Sequence, residues 1–128
     1  MAKKTTELTE AEWSIINAVW ENQPCAAPTI VEILKNHKGW TYSTVKTLMD
    51  RMTAKGLLKT EKIRNLTLYS AAITKTKARK TEITKTLKRA FDGALTPMMQ
   101  FLIDNHNLSA SQLNQLENLI RQKRTNKK

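Results

Sequence analysis

Side chains able to do covalent or metal chemistry are few and scattered in this 128-residue chain. Cys25 is alone, and His37 and His106 are far apart, with no ligand spacing and no nucleophile beside a base in a motif context. Three glycines leave little material for a phosphate-cradling loop. No metal site and no cofactor is expected, and the chain reads as a non-enzyme. What is concentrated instead is the chemistry of non-covalent recognition. Thr41, Tyr42, Ser43, Thr44, Lys46, Thr47 and Arg51 crowd into one short stretch, and Lys59, Lys62 and Arg64 follow. Small hydroxyls near a helix start can approach base edges, while lysine and arginine pair with phosphates. Ser43, Thr44 and Thr47 are therefore expected to meet bases or nearby sugars, with Thr41 and Tyr42 beside them. Lys46, Arg51, Lys62 and Arg64 are expected to hold phosphates of double-stranded DNA.

These residues need a helix and a hairpin to position them, and the local signals for both are present. Thr41 stands where an N-cap is wanted, with Trp40 and Val45 placed as a hydrophobic staple. Val45, Leu48, Met49 and Met52 recur at helical spacing, which puts Tyr42, Ser43, Lys46, Thr47, Asp50 and Arg51 on other faces. Gly56 sits where a left-handed residue ends a helix, and Lys55 suits the negative end of its dipole. A helix about 10 to 12 Å across matches a major groove about 12 Å wide. Residues 57–63 and 66–73 then alternate, which predicts a hairpin with Arg64-Asn65 at its turn. Asn65 is the residue expected to take the positive φ.

Upstream, Thr9 reads as the N-cap of a first helix, with Glu12 as capping-box partner and Leu8 stapled to Trp13. Trp13, Ile16, Val19 and Trp20 form its apolar stripe, which assigns both tryptophans to the core rather than to stacking on bases. Pro28 fits the first turn of a second helix carrying Ile30, Val31, Ile33 and Leu34, and residues 36–39 supply a turn. Helix, helix, turn, helix, hairpin is complete by about residue 73, the size of one small domain.

The charge follows the proposed reader. The net charge is +11, yet residues 1–37 hold three basic against five acidic side chains, and residues 38–64 hold seven against two. Counterion release from such a surface makes binding strongly salt-dependent. No apolar run approaches 18 residues, and neither a signal peptide nor a lipidation signal is present, so a cytoplasmic protein without membrane insertion is expected.

Beyond residue 73, a basic stretch carries Ile83, Leu87 and Phe91 four apart, and its lysines and arginines read as a solvated face. Thr96-Pro97 opens a short helix in which Met98, Met99, Phe101, Leu102 and Ile103 leave almost no polar side. Ser109 and Gln112 form a second capping box, Leu108 is stapled to Leu113, and Leu116, Leu119 and Ile120 continue that stripe. Three helices in about 50 residues sit near the limit of what folds alone. A second copy is the expected cover, contacted through Ile83, Leu87, Phe91, Met98, Met99, Phe101, Leu102, Leu113, Leu116, Leu119 and Ile120. The fold expected is mainly α with a small β wing: a winged helix-turn-helix over residues 1–73, then a three-helix dimerisation region over 74–128. A homodimer would read a palindromic operator with half-sites about 34 Å, or a multiple, apart. Two alternatives remain. In one, Met98 and Met99 line a small-molecule pocket in a regulator switched by ligand without cleavage. In the other, the wing binds protein.

Several motifs carry a resemblance in their order and spacing. Leu8-Thr-Glu-Ala-Glu-Trp13 with Val19-Trp20-Glu21, and Tyr42-Ser-Thr-Val-Lys-Thr-Leu-Met-Asp-Arg-Met52 with Lys55-Gly56-Leu57, are two of them. Tyr69-Ser70-Ala71, Met98-Met-Gln-Phe101 and Leu108-Ser-Ala-Ser-Gln-Leu113 follow. Together they resemble the penicillinase repressor family, of the BlaI and MecI type, over nearly the whole chain. The resemblance implies a repressor linked to antibiotic resistance, whose C-terminal helices interlock with those of a second subunit. Thr41, Thr44, Lys46 and Arg51 match polar or basic positions of that family's recognition helix, whereas Ser43 stands where the best-known members carry a basic residue. The resemblance further implies a membrane-bound sensor with a metalloprotease domain that cleaves the dimerisation region. The matching bond joins Gln100 to Phe101, with Gln100 in place of the familiar Asn. Copper-responsive relatives end in a Cys-x-Cys tail, and this chain does not.

Overall fold

The computed structural model describes residues 7–126, and the backbone clusters into two compact units, one ending at Lys85 and the other starting at Thr86. The first contains α1 (Glu10–Asn22), α2 (Ala27–Leu34), α3 (Tyr42–Ala54), β1 (Leu58–Ile63) and β2 (Leu66–Ala71). Helix α4 (Lys75–Phe91) runs across the unit boundary, and α5 (Leu95–Asn105) and α6 (Ala110–Asn126) follow. The architecture is mainly helical with a small antiparallel wing, as the sequence leads one to expect.

Helix α1 starts where its capping box dictates: the Glu12 amide donates to Thr9 Oγ1 at 3.2 Å and the Thr9 amide to Glu12 Oε1 at 2.9 Å. Its inward face is broader than the predicted stripe, because Ile15 and Ala18 are buried along with Ile16 and Val19. Trp13 and Trp20 pack against the core edge-to-face, with ring centroids 6.2 Å apart. Trp20 also donates from Nε1 to the Ile73 carbonyl at 3.2 Å, giving its polar edge a partner. In α2, Pro28 lies in the first turn and Ile30 and Leu34 turn inward, but Ile33 lies on the outer side of the stripe and is exposed.

The core of this unit is filled by Ile15, Ile16, Val19, Ile30, Val45, Met49, Met52, Leu57 and Tyr69, all essentially inaccessible to water. It holds α3 against α1 and α2, and the wing is anchored to it by Leu57, Leu58 and Tyr69. Ile63 pairs with Leu66, so two residues form the turn. The left-handed residue there is Arg64 (φ 59°) rather than Asn65. A tight two-residue turn needs positive φ at its first central position, and strand register puts Arg64 there whatever its own preference. Cys25 forms a single antiparallel bridge to the wing, exchanging backbone hydrogen bonds with Tyr69 at 3.0 and 2.7 Å.

In the second unit, Asp92 (φ 51°) and Gly93 (φ 82°) end α4 in the left-handed region. Phe91 and Phe101 meet with centroids 6.0 Å apart. The predicted capping box of α6 forms, with the Ser109 amide donating to Gln112 Oε1 at 2.9 Å and the Gln112 amide to Ser109 Oγ at 3.1 Å. Met98 is the one buried side chain of α5, and α6 buries none along its described length. Among the described residues no helix is long and apolar enough to cross a membrane.

Candidate nucleic-acid interface

Helix α3 is built so that one side packs and the other is offered to a partner. Val45, Met49 and Met52 are buried, whereas Tyr42, Ser43, Thr44, Thr47, Asp50, Arg51 and Ala54 are exposed. With about 100° between successive residues, Ser43, Thr47, Asp50 and Ala54 form the strip directly opposite the packed side. Thr44 and Arg51 flank it on one edge and Lys46 on the other. Thr41, just before the helix, is committed to capping: its hydroxyl oxygen accepts from the Thr44 amide at 3.2 Å while its proton goes to Thr44 Oγ1 at 3.1 Å. The Thr44 hydroxyl proton is left to donate outward.

Most of the residues assigned to DNA contact from the sequence are thus gathered on one helix face. Lys62 and Arg64 lie apart from it on the wing, exposed along with Lys59. Lys46 is differently placed from a free phosphate cation. Its Nζ donates to both carboxylate oxygens of Asp50, at 3.0 and 2.8 Å, and stands 5.7 Å from the Tyr69 ring centroid. The buried Tyr69 donates its hydroxyl to Asp50 Oδ1 at 2.8 Å. The Asp50 contact holds the Lys46 ammonium protonated well above its ordinary range. Lys46 in turn holds the Asp50 carboxyl below its ordinary range. Burial pushes the Tyr69 phenol up, so it stays a donor at neutral pH.

Two side-chain pairings escaped the sequence reading. The spacing of Lys46 and Asp50 is a recognisable helical ion pair, but nothing local announces that Tyr69, nineteen residues on, completes the cluster. Likewise Lys55 reaches back to α1, with Nζ 2.7 Å from Glu12 Oε2. That pair clamps the end of α3 to the start of α1 and makes Glu12, at 5% exposure, a buried carboxylate with a partner.

The residues assigned to dimerisation divide by exposure. Ile83, Phe101, Leu102, Leu113, Leu119 and Ile120 are exposed, Leu87, Phe91, Met99 and Leu116 half-buried, and Met98 buried. Gln100 and Phe101 lie in the middle of α5, both exposed. Cys25 is buried, and burial pushes its thiol up, which makes it a poor nucleophile. Among the described residues, no group of three or more His, Cys, Asp or Glu side chains is arranged to hold a metal ion.

Among known proteins, the model of the penicillinase repressor family matches residues 8–122. The chain is 23% identical over 123 residues to the methicillin resistance regulatory protein MecI of Staphylococcus aureus strain N315, covering 96% of this chain and 100% of that protein. It is 22% identical over 126 residues to the penicillinase repressor of Bacillus licheniformis, covering 98% of each. A 16.5 kDa protein of Latilactobacillus sakei, uncharacterized and encoded in the ptsI 3' region, is 29% identical over 120 residues, 94% of this chain and 82% of that one. The solved DNA-binding domain of the repressor BlaI superposes with a TM-score of 0.52 at 22% identity, over 58% of this chain and 90% of that one. Monomeric Bacillus licheniformis BlaI in complex with the blaP half-operator gives 0.50 at 21% identity, over 59% and 92%.

Proposed function

The chain belongs to the penicillinase repressor family of winged-helix DNA-binding regulators, and we propose that it works as a homodimer on a palindromic operator. In this reading α3 of each subunit enters the major groove of one half-site and the wing lies on the adjoining backbone. The observation that carries it is the two-sidedness of α3. A face of hydroxyls with Arg51 stands free, opposite side chains that are wholly buried, beside a hairpin bearing Lys59, Lys62 and Arg64. Ser43, Thr44 and Thr47 are short enough to let the helix approach base edges, and Arg51, Lys62 and Arg64 reach backbone phosphates. Residues 74–128 serve as the dimerisation region, which spaces the two readers by one or more helical turns of DNA.

Release from the operator follows, in this proposal, from cleavage between Gln100 and Phe101 by a membrane-bound sensor metalloprotease. The bond lies within α5, so cutting it separates α6 from the rest of the chain. A monomer then loses the effective-concentration advantage of holding two half-sites at once. Two experiments test these parts separately. Footprinting on the promoter of its own gene should give two symmetric protected half-sites, with affinity falling log-linearly as salt rises. Weak association with DNA of any sequence and no footprint would reject operator recognition. Incubation with the activated sensor, followed by mass mapping, should give fragments meeting at Gln100–Phe101. An intact chain that has nonetheless lost DNA binding would reject cleavage.

A further inference from the structure

We infer that Asp50, held in place by Lys46 and Tyr69, reads one base pair, a C·G pair, by accepting from cytosine N4 on its major-groove edge. α3 as the groove helix is the premise on which this rests. Asp50 lies on the strip of α3 farthest from the core, between the positions of Thr47 and Ala54, and its side chain is 54% exposed. A carboxylate there faces an array of phosphates and is unfavourable unless it is neutralised and has something to accept. Lys46 neutralises it. Of the four acceptor sites on the carboxylate, Oδ1 uses two, for Lys46 and Tyr69, and Oδ2 uses one, for Lys46. One acceptor site on Oδ2 is left.

The cluster therefore presents a single outward acceptor. Cytosine offers an N4 donor in the major groove, and its guanine partner offers the O6 and N7 acceptors alongside it. Thymine O4, which is an acceptor, would meet the carboxylate with like charge. Adenine offers N6 as donor but sets N7 beside it as a second acceptor. Among the four bases, only cytosine offers the carboxylate a donor with no acceptor of the same base beside it. The fixed geometry matters as much as the chemistry. Tyr69 is anchored in the core and bonded across the sheet to Cys25, so the carboxylate is held from behind by a residue that cannot move without disturbing the wing. A contact held in place before binding loses less entropy when it forms.

Selection of bound sequences from a library of randomised symmetric half-sites, with the full-length protein, tests this. Wild type should enrich C·G at one position in each half-site, and Asp50→Ala should lose roughly tenfold discrimination there, within the about 5- to 150-fold that a good base contact gives. Asp50→Asn, which preserves shape, should shift the same position toward A·T, because an amide offers the donor and acceptor that adenine N6 and N7 pair with. Lys46→Met should relax that position and no other. Circular dichroism confirms that each variant is folded, and the near-isosteric Asn variant serves if the others are not. Unchanged base preference in the Asp50 variants, or tighter binding to every sequence alike, would overturn the inference. If Thr44→Ala still alters preference in that case, α3 remains the groove helix. Wild type enriching no symmetric sequence would overturn both.

Discussion

Arg64 shows at a single residue how folding and binding demands can differ. It holds a left-handed backbone (φ 59°) at the tip of the wing, where its charge is also exposed. A side chain there costs about 1 to 2 kcal/mol of backbone strain, whereas glycine would cost about 0.4 to 1 kcal/mol through the freedom it adds to the unfolded chain. Arg64→Gly should therefore raise unfolding free energy by about 0 to 1.6 kcal/mol. It should at the same time weaken operator binding and reduce the salt slope by about one phosphate contact. Denaturant melts and salt titrations measure the two separately, and a salt slope unchanged from wild type would remove Arg64 from the interface. Asp50 gives a pH prediction of definite sign. Its carboxyl is depressed in the folded chain, chiefly by Lys46, so the stability it contributes is complete above its ordinary value near 3.8 and is lost as pH falls through the lowered one. Asp50→Asn should leave the neutral region of the stability profile flat and make the acid limb shallower in thermal melts.

Among elements, α1 and α3 are joined by a side-chain clamp as well as by packing. Glu12 does two things at once: it closes the capping box of α1 and pairs with Lys55 at the end of α3. Glu12→Gln keeps an oxygen for the Thr9 amide but loses the charge opposite Lys55. With the glutamate buried and the lysine side chain 34% exposed, the loss should be about 1 to 2 kcal/mol, below that of a fully buried pair. Chemical denaturation measures it, and a Glu12→Gln, Lys55→Met double variant should recover part of the loss. The same elements mark what could be foreseen from the sequence. Thr9, Thr41 and Ser109 each cap a helix through a hydrogen bond three residues long, and Gly56 ends α3 at φ 86°. Such signals are local and therefore legible in order. The bridge of Cys25 to Tyr69, the Tyr69 bond to Asp50 and the Glu12 clamp join residues 19 to 44 apart. No periodicity encodes which distant partner a side chain will find, and only packing decides it. Arg64 took the left-handed position for a related reason: register, a property of two strands together, overrode the preference of Asn65.

At the scale of the whole molecule, the second unit is where a lone chain accounts least for itself. Helix α6 has seventeen residues, none of them buried, and Leu113, Leu119 and Ile120 stand exposed along it. An isolated helix of about 12 to 15 residues is marginal in water, so most helical stability has to come from packing an apolar face. In the proposed dimer that face is covered by the second subunit. Replacing Leu119 and Ile120 together by Asp should then convert the protein to monomers in analytical ultracentrifugation and lower its helix content, while the first unit keeps its fold. Affinity for a single half-site should stay near that of wild type, because α3 and the wing are untouched. Affinity for the full palindrome should fall about 10²- to 10⁴-fold, the advantage that linking two sites confers. A variant that remains dimeric, or a monomer that holds the full operator as tightly as wild type, would mean that these helices serve some other contact. A loss of half-site binding as well would instead mean that α6 supports the reader itself.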